Sequence, residues 1–386
     1  YGTAGAAVHV VDIAKNEYRE SYLADIYEAA RIVEQMDNIH FFQRPMVARD
    51  IPDPADLDFN TVYAAIKGTT KHVGVSFTEA EFMKPVFEML HSVAGGEDKW
   101  RARPFVSNSN CFVVPPLRFA TESCLVMEEA VRNGMPVLLL SAGQAGATAP
   151  ASIAGAVAQA LSEVIAGLIY VNAMKPGHPC ICGTWPFVSD LRTGAMSGGS
   201  GEQGLLTSAC AQMLQHYDLP GGAAAGMADA KMPDAQSGYE KGSTLVMAGL
   251  SGLNMVYEAA GMHASLLGFC LDSLIIDNDM LGQCLRCVRG IEVNEETLAV
   301  QVMKDICMGG PGHYLGPDQT IILMQTEYAY PAIADRSSPN EWEAFGKPNL
   351  LEVARQRKED ILANSHPSHV SDALDAELRS RFRILL

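Results

Sequence analysis

The sequence predicts an α/β fold, a (β/α)8 barrel of the TIM type with additional C-terminal helices. Three observations support this fold. Short runs rich in β-branched residues alternate with longer amphipathic stretches, eight such runs follow one another along the chain, and a long segment comes after the last run. With 386 residues, of which 48% are hydrophobic, the chain can bury one large core. An open doubly wound sheet is the alternative that this pattern leaves open.

The eight predicted strands are short, and most neighbours are far enough apart to leave room for a helix. The strands cover residues 8–12, 40–44, 72–77, 105–110, 136–142, 179–184, 222–227 and 253–259. The helical patterns between them cover residues 16–36, 79–94, 121–133, 150–172, 204–216 and 237–248. Eight βα units of this kind occupy about 250 residues. We therefore expect the barrel over residues 1–271 and a helical extension, packed on the barrel, over residues 272–386.

The charge balance argues against two classes of partner. Twenty-eight lysine and arginine residues against forty-five acidic residues give a net charge of −17, which repels nucleic acid phosphates and anionic lipids. No basic patch offsets this charge, and no stretch reaches the roughly 18 uncharged apolar residues of a membrane span. We therefore expect neither a nucleic acid nor a membrane as partner. Because the sequence begins at Tyr1 and not at Met, we expect an N-terminal part to be missing from it.

The nine cysteines are scattered through apolar segments, as is typical of proteins from a reducing cytoplasm. Cys284 and Cys287 form a Cys-x-x-Cys pair and Cys180 and Cys182 a Cys-x-Cys pair, so a zinc site has to be considered. The first pair falls in an amphipathic stretch and the second in a strand, where each spacing places both thiols on one buried face. No second Cys/His pair follows at the spacing of a zinc finger. We expect these cysteines to pack in the core and the chain to bind no zinc.

In a barrel the reacting groups follow the carboxyl ends of the strands, because the loops there meet at one mouth. The candidates at this mouth are mostly amides and aromatic residues: Asn108, Asn110, Ser141, Gln144, Thr184, Trp185, Phe187, Met227, Asp229, Tyr257, Glu258 and His263. Such a set suits holding a substrate more than extensive acid–base chemistry. Asp229 and Glu258 are the candidates for a catalytic carboxylate. The glycine-rich loops 141–150 and 194–204 are consistent either with close approach of a large partner or with ordinary flexible loops.

Several long motifs together resemble one family in both order and spacing. They are SAGQAGATAP at 141–150, DLRTG at 190–194, DAKMPDAQSGYEK at 229–241, IDND at 276–279 and RGIEVNEETLA at 289–299. By these motifs the chain is similar to the trimethylamine:corrinoid methyltransferase family over about residues 12–313. The resemblance implies a barrel whose mouth docks a small corrinoid protein, and this partner would carry the cobalamin. A homo-oligomer in the cytoplasm is also expected.

The chain departs from the founding members of that family at one position. They carry pyrrolysine in the stretch that corresponds to residues 221–229, which here reads GGAAAGMAD, with Met227 nearest to the special position. A quaternary ammonium already leaves as a neutral tertiary amine, so it needs less activation than trimethylamine. The resemblance to the pyrrolysine-free branch therefore implies methyl transfer from a glycine betaine-like amine to Co(I) of the corrinoid protein. Trimethylamine, carnitine or another N-methyl compound is an alternative substrate, and a non-catalytic quaternary-amine-binding protein is an alternative of another class.

A quaternary ammonium has no N–H group, so aromatic faces are expected to recognise it through cation–π attraction of about 0.5–2 kcal/mol per ring. The candidates are Trp185, Phe187, Tyr257 and Phe269, of which at least two are expected to line the site and any one could instead belong to the core. His263 is expected to bind the carboxylate of a betaine, a task that backbone N–H groups could also perform. The remaining residues expected at the substrate are Met227, Asn108 and Gln144.

Overall fold

The predicted α/β barrel with additional C-terminal helices is confirmed by the computed structural model, which describes residues 1–386. Seven parallel strands pair in sequence order around the barrel: Phe41–Gln43, His72–Val75, Val106–Asn110, Val137–Ser141, Cys180–Thr184, Gly221–Ala224 and Met255–Tyr257. Residues 1–3 close the ring between the last and the first of these strands. The N–H of Gly2 donates to the carbonyl of Val256 at 2.9 Å, and Gly2 bridges Phe41 in parallel on its other side.

The prediction of the first barrel strand at residues 8–12 was wrong. His9–Asp12 is a strand, but it pairs with Glu17–Glu20 and Gly268–Phe269 in a separate four-stranded sheet. Its place in the barrel is taken by residues 1–3, where a Cβ on Gly2 would overlap the ring of Phe41. The ring of Phe41 thus requires a residue without a side chain at this position, and such a residue carries no strand signal.

Eight long helices surround the barrel: Leu23–Glu34, Pro54–Gly68, Met83–Ala94, Thr121–Arg132, Ile153–Met174, Gly201–His216, Ala235–Leu250 and Leu271–Arg289. The first begins at Leu23 and not at residue 16, because Glu17–Glu20 is a strand. The second was not predicted, since polar residues are buried along it and blur its periodicity. Its start is marked by Asp53, whose carboxylate accepts two backbone N–H groups, and by Pro54.

The helix Ile153–Met174 is long and apolar enough, by length and composition, to cross a membrane. This was not expected from the sequence, in which Glu163 interrupts the apolar stretch. In the structure Glu163 is buried and accepts hydrogen bonds from the Ser141 hydroxyl and from the backbone N–H of Leu117. The helix thereby attaches to the strand that precedes it and to a loop at the barrel mouth.

The helix Leu271–Arg289 packs against Ala235–Leu250 and Leu23–Glu34, which is the position of the eighth helix of a barrel. The expected division at residue 272 falls in the first turn of this helix. The helices that follow are Val300–Cys307, Asp318–Thr326, Pro339–Ala344, Leu350–Asn364 and Asp372–Arg381. The fourth of them lies along the eighth barrel helix and also contacts the first, whose buried Arg31 donates to the carbonyls of Leu362 and Ser365.

Candidate active site

A cavity of about 190 Å³ lies at the carboxyl ends of the barrel strands. Its lining comes from the residues after the closing segment, from the carboxyl ends of three strands and from the loops that follow the strands. The lining residues are Ala4, Gly5, Ala6, Gln43, Arg44, Ser76, Ser109, Cys111, Leu140, Ala142, Trp185, Phe187, Glu258 and Leu266. Ala6 and Cys111 are exposed, so the cavity reaches the surface at these residues. Pockets for drug-sized ligands measure roughly 300–1,000 Å³, so this cavity suits a smaller molecule.

A larger cavity of about 500 Å³ lies at the other end of the barrel. It is lined by residues such as Val73 and Phe105, which stand at the amino ends of their strands. In barrel enzymes this face serves stability, whereas the reacting groups lie at the carboxyl face. The smaller cavity is therefore the candidate active site.

Two of the four expected aromatic residues line the cavity, Trp185 and Phe187. Tyr257 lies behind Trp185, with ring centroids 5.0 Å apart and an interplanar angle of 44°, and it contacts Phe41 edge to face on its other side. The indole N–H of Trp185 is buried and has no hydrogen-bond partner. Phe269 is placed elsewhere, in the separate sheet beneath Gly261.

Glu258 follows the Met255–Tyr257 strand directly, and its backbone adopts the left-handed conformation with φ 59°. Glu258 is 2% exposed, lines the cavity, and leaves one carboxyl oxygen, Oε2, without a hydrogen-bond partner. Burial raises the pKa of this carboxyl to about 8. A buried and unpaired carboxyl group is costly, and such groups are concentrated at functional sites.

Arg44 was missed by the sequence analysis. It follows the Phe41–Gln43 strand, lines the cavity, and has a buried Nε atom without a partner. Its side chain makes one hydrogen bond, of 3.4 Å, to the hydroxyl of Ser76. The position was detectable from the sequence, because a charged residue stands directly at the carboxyl end of a predicted strand.

Asp229 does not line the cavity but connects the loops around it. Its carboxylate accepts hydrogen bonds from the hydroxyls of Ser197 and Ser265 and from the backbone N–H of Gly198, each at 2.7 Å. These donors belong to the loops after two other strands. With its oxygens occupied in this way, Asp229 fixes the relative positions of three loops at the mouth.

His263 lies in the separate sheet and not in the lining of the cavity. It is fully buried, and its Nε2 atom is 2.8 Å from the hydroxyl of Ser273. Burial, together with the charge of Lys241, lowers the pKa of this histidine well below its usual value. A neutral, buried imidazole outside the cavity is poorly suited to bind a substrate carboxylate.

The structure also places the other three expected site residues outside the lining. Asn108 lies one position before Ser109 on the same strand, so the two side chains point to opposite faces and only Ser109 lines the cavity. Gln144 belongs to a short strand that pairs with Phe187–Ser189 near the mouth. Met227 is fully buried and packs beneath Gly198. A role of these three residues in binding stays a prediction.

All nine cysteines are free. Cys284 and Cys287 lie one turn apart on the eighth barrel helix, and Cys180 and Cys182 lie on one strand. Cys284 and Cys182 are buried as expected, but the expected core position was wrong for Cys287, which is exposed, and Cys180 is only partly buried. No group of three or more histidine, cysteine or acidic side chains is arranged to hold a metal ion. The absence of zinc from the protein itself stays a prediction.

Comparison with known proteins reveals similarity along nearly the whole chain. The model of a family described as Trimethylamine methyltransferase (MTTB) matches residues 1–383. The chain is 31% identical over 376 residues to Trimethylamine methyltransferase MttB of Desulfitobacterium hafniense (strain DSM 10664 / DCB-2), covering 97% of this chain and 75% of that protein. It is 32% identical over 360 residues to Trimethylamine methyltransferase MttB of Methanosarcina barkeri (strain Fusaro / DSM 804), covering 93% and 71%. It is also 30% identical over 364 residues to Glycine betaine methyltransferase of Desulfitobacterium hafniense (strain Y51), covering 94% and 75%.

Proposed function

This chain belongs to the trimethylamine methyltransferase family, and we propose that it moves a methyl group from a quaternary amine resembling glycine betaine to Co(I) of a corrinoid protein. The other product is then a tertiary amine such as dimethylglycine. One observation carries the choice of substrate: the unpaired, buried carboxyl of Glu258 lines the same small cavity as the aromatic rings of Trp185 and Phe187.

A quaternary ammonium fits this combination of groups. It keeps its positive charge at every pH and has no N–H to donate, so it is recognised by aromatic faces and by a nearby negative charge. In the cavity the faces come from Trp185 and Phe187, and the charge comes from Glu258 in its ionised form. Leu140 and Ala142 line the wall on the other side of the rings and help to keep water away from the methyl groups.

The residues of the chain contribute orientation and desolvation to the reaction. Displacement at a methyl carbon needs the acceptor and the departing nitrogen on one line. The aromatic wall holds the ammonium in the cavity with one methyl group towards the opening at Ala6 and Cys111. The departing amine carries no charge, so no residue has to activate it.

The methyl acceptor has to come from outside the chain. Cys111 is the one thiol in the cavity lining. Although the residue reaches the surface, desolvation by the surrounding side chains and the charge of Glu163 raise the pKa of its thiol, which keeps it in the poorly nucleophilic protonated form. The face around the mouth carries three exposed leucines, Leu117, Leu191 and Leu267, at 66%, 68% and 60% exposure. These residues fit the docking of a partner protein and would surround its corrinoid. When bound, the corrinoid supplies the cobalt that takes up the methyl group.

Absorbance spectroscopy of Co(I) cobalamin tests this function. We expect the spectrum to change when enzyme and glycine betaine are both present, and to change less with trimethylamine or carnitine. Trp185→Leu should slow the change at least tenfold, while Trp342→Leu, on a distant C-terminal helix, should not. No change with any methylated amine would reject the enzyme and favour the alternative of a quaternary-amine-binding protein, provided that circular dichroism shows a folded chain.

Two features support further parts of the proposal. All nine cysteines are free, as expected for a protein that works in the reducing cytoplasm.

The segment after the eighth barrel helix exposes large apolar side chains, among them Ile291, Met308, Leu315 and Phe345 at 73% exposure or more, which supports self-association. Light scattering coupled to gel filtration distinguishes an oligomer from a monomer.

A further inference from the structure

Arg44 stands out among the charged groups of the cavity because no carboxylate of the chain pairs with it. Its Nε atom is buried without a partner, and its single side-chain hydrogen bond, to Ser76, is long at 3.4 Å. The charge of the nearby Asp58 acts on Arg44, but the two side chains form no hydrogen bond or ion pair; one oxygen of the Asp58 carboxylate accepts both the N–H and the hydroxyl of Thr78. A guanidinium keeps its charge when buried, and no carboxylate of the chain is in direct contact with that of Arg44.

The position of Arg44 relative to the aromatic wall follows from the order of the strands. Arg44 follows the Phe41–Gln43 strand and Trp185 follows the Cys180–Thr184 strand. Four steps separate these strands in either direction around the ring of seven strands and the closing segment. Arg44 and Trp185 therefore stand on opposite walls of one cavity of about 190 Å³.

We propose that Arg44 binds the carboxylate of a short zwitterionic substrate whose quaternary ammonium lies against Trp185 and Phe187. This inference rests on the proposed function and adds the residue that decides between substrates with and without a carboxylate. The hydroxyls of Ser76 and Ser109 line the cavity with Arg44 and can donate to the same carboxylate. Recognition at both ends sets the distance between the two charges, so the small cavity favours betaines with a short spacer.

Binding measurements separate this role from a general effect on the cavity. Calorimetric titration with glycine betaine, choline and tetramethylammonium compares three ligands that share the quaternary ammonium, of which only the first has a carboxylate. We expect Arg44→Gln to weaken the binding of glycine betaine roughly ten- to hundredfold and to leave the affinities for choline and tetramethylammonium within about twofold of the wild type. Arg44→Lys, which keeps the charge but not the fork of donors, should lose less. Arg118→Gln, on an exposed hairpin, serves as the matched control.

Two results would overturn the assignment. In the first, Arg44→Gln weakens all three ligands equally, which makes Arg44 a structural support of the cavity. In the second, it weakens none of them. Circular dichroism melting shows whether the variant folds, and if it does not, the comparison of ligands is made with Arg44→Lys. The binding result is independent of turnover: selective loss of glycine betaine binding supports Arg44 even if no methyl transfer to cobalamin is found.

Discussion

The indole of Trp185 rests on the phenol ring of Tyr257, with the ring centroids 5.0 Å apart. Tyr257 is 3% exposed, and its other side meets Phe41. The ring of Trp185 lines the cavity and is held by the ring of Tyr257, which does not line it. The orientation of Trp185 therefore depends on packing in the barrel interior. Sequence alone suggested both residues for the same site but not this division of roles.

Removal of the ring behind Trp185 should affect both stability and binding. We expect Tyr257→Leu to lower the free energy of unfolding by about 1–3 kcal/mol, because two aromatic pairs are lost. For the same reason it should weaken the binding of tetramethylammonium roughly three- to tenfold. Tyr257→Phe keeps both pairs and should change neither quantity much, since the hydroxyl contacts only the sulfur of Met255 at 3.3 Å. Denaturant unfolding and calorimetry measure the two effects. Equal losses in both variants would contradict the packing argument.

The pKa of Glu258 predicts a pH dependence for the binding of cations. Because burial raises this pKa from 4.5 to about 8, the carboxyl is mostly protonated at pH 7 and ionised above pH 8. The affinity for tetramethylammonium should therefore rise as the pH increases from 6.5 to 9, and Glu258→Gln should bind with one affinity throughout. Glu122→Gln, at the start of a surface helix, is the control.

The same shift has a consequence for stability. Between about pH 4.5 and 8 the folded state holds a proton that the unfolded state has released, so the contribution of Glu258 to stability decreases as the pH rises through this range. Relative to the wild type, Glu258→Gln should then be more stable at pH 9 than at pH 5. Calorimetric melting at the two pH values measures this difference. A constant difference between the proteins would mean that the carboxyl titrates normally.

Asp229 should control the order of the mouth loops. Asn at this position keeps one acceptor oxygen and places an NH2 group against the donors that the carboxylate binds. Asp229→Asn should therefore lower the free energy of unfolding by about 2 kcal/mol or more. Hydrogen exchange should accelerate at residues 196–199 and 264–266 in particular. Asp190→Asn changes a partly exposed carboxylate that pairs with Arg192 in its own loop, and it should leave exchange at these residues unchanged. Faster exchange across the whole barrel would indicate general destabilisation instead.

A buried ion pair joins the last two barrel helices. Lys241 and Asp277 are 2.7 Å apart with side chains 1% and 4% exposed, and Asp277 also accepts from the N–H of Gly261. Lys241→Met leaves the buried carboxylate of Asp277 without its cation and should lower the free energy of unfolding by about 3–5 kcal/mol. Lys15→Met removes two surface ion pairs, with Asp12 and Glu17, and should lower the free energy of unfolding by less than about 1 kcal/mol. Urea unfolding of both variants provides the comparison.

The sequence was sufficient for most of the barrel because its strands are short runs of apolar and β-branched residues separated by amphipathic helices. It was insufficient for the closing segment, where Gly2 makes room for the ring of Phe41 and has no side chain to signal a strand. The same limit applied to Asn108, since a prediction of strand bounds does not tell which of two successive side chains faces the lumen. The position of His263 depended on a separate sheet formed by distant segments, which no local pattern reveals.

Residues 1–3 also bear on how the barrel moves. A segment held by a few main-chain hydrogen bonds can detach at lower free energy than a fully paired strand, and such local opening would turn the ring into a curved sheet with two free edges. Ala4, Gly5 and Ala6 continue from this seam into the cavity wall. A ligand that needs an intact wall binds only the closed ring, so its binding free energy adds to the free energy of opening. Hydrogen exchange at the amide of Gly2 would then slow when a ligand occupies the cavity, although Gly2 does not line it.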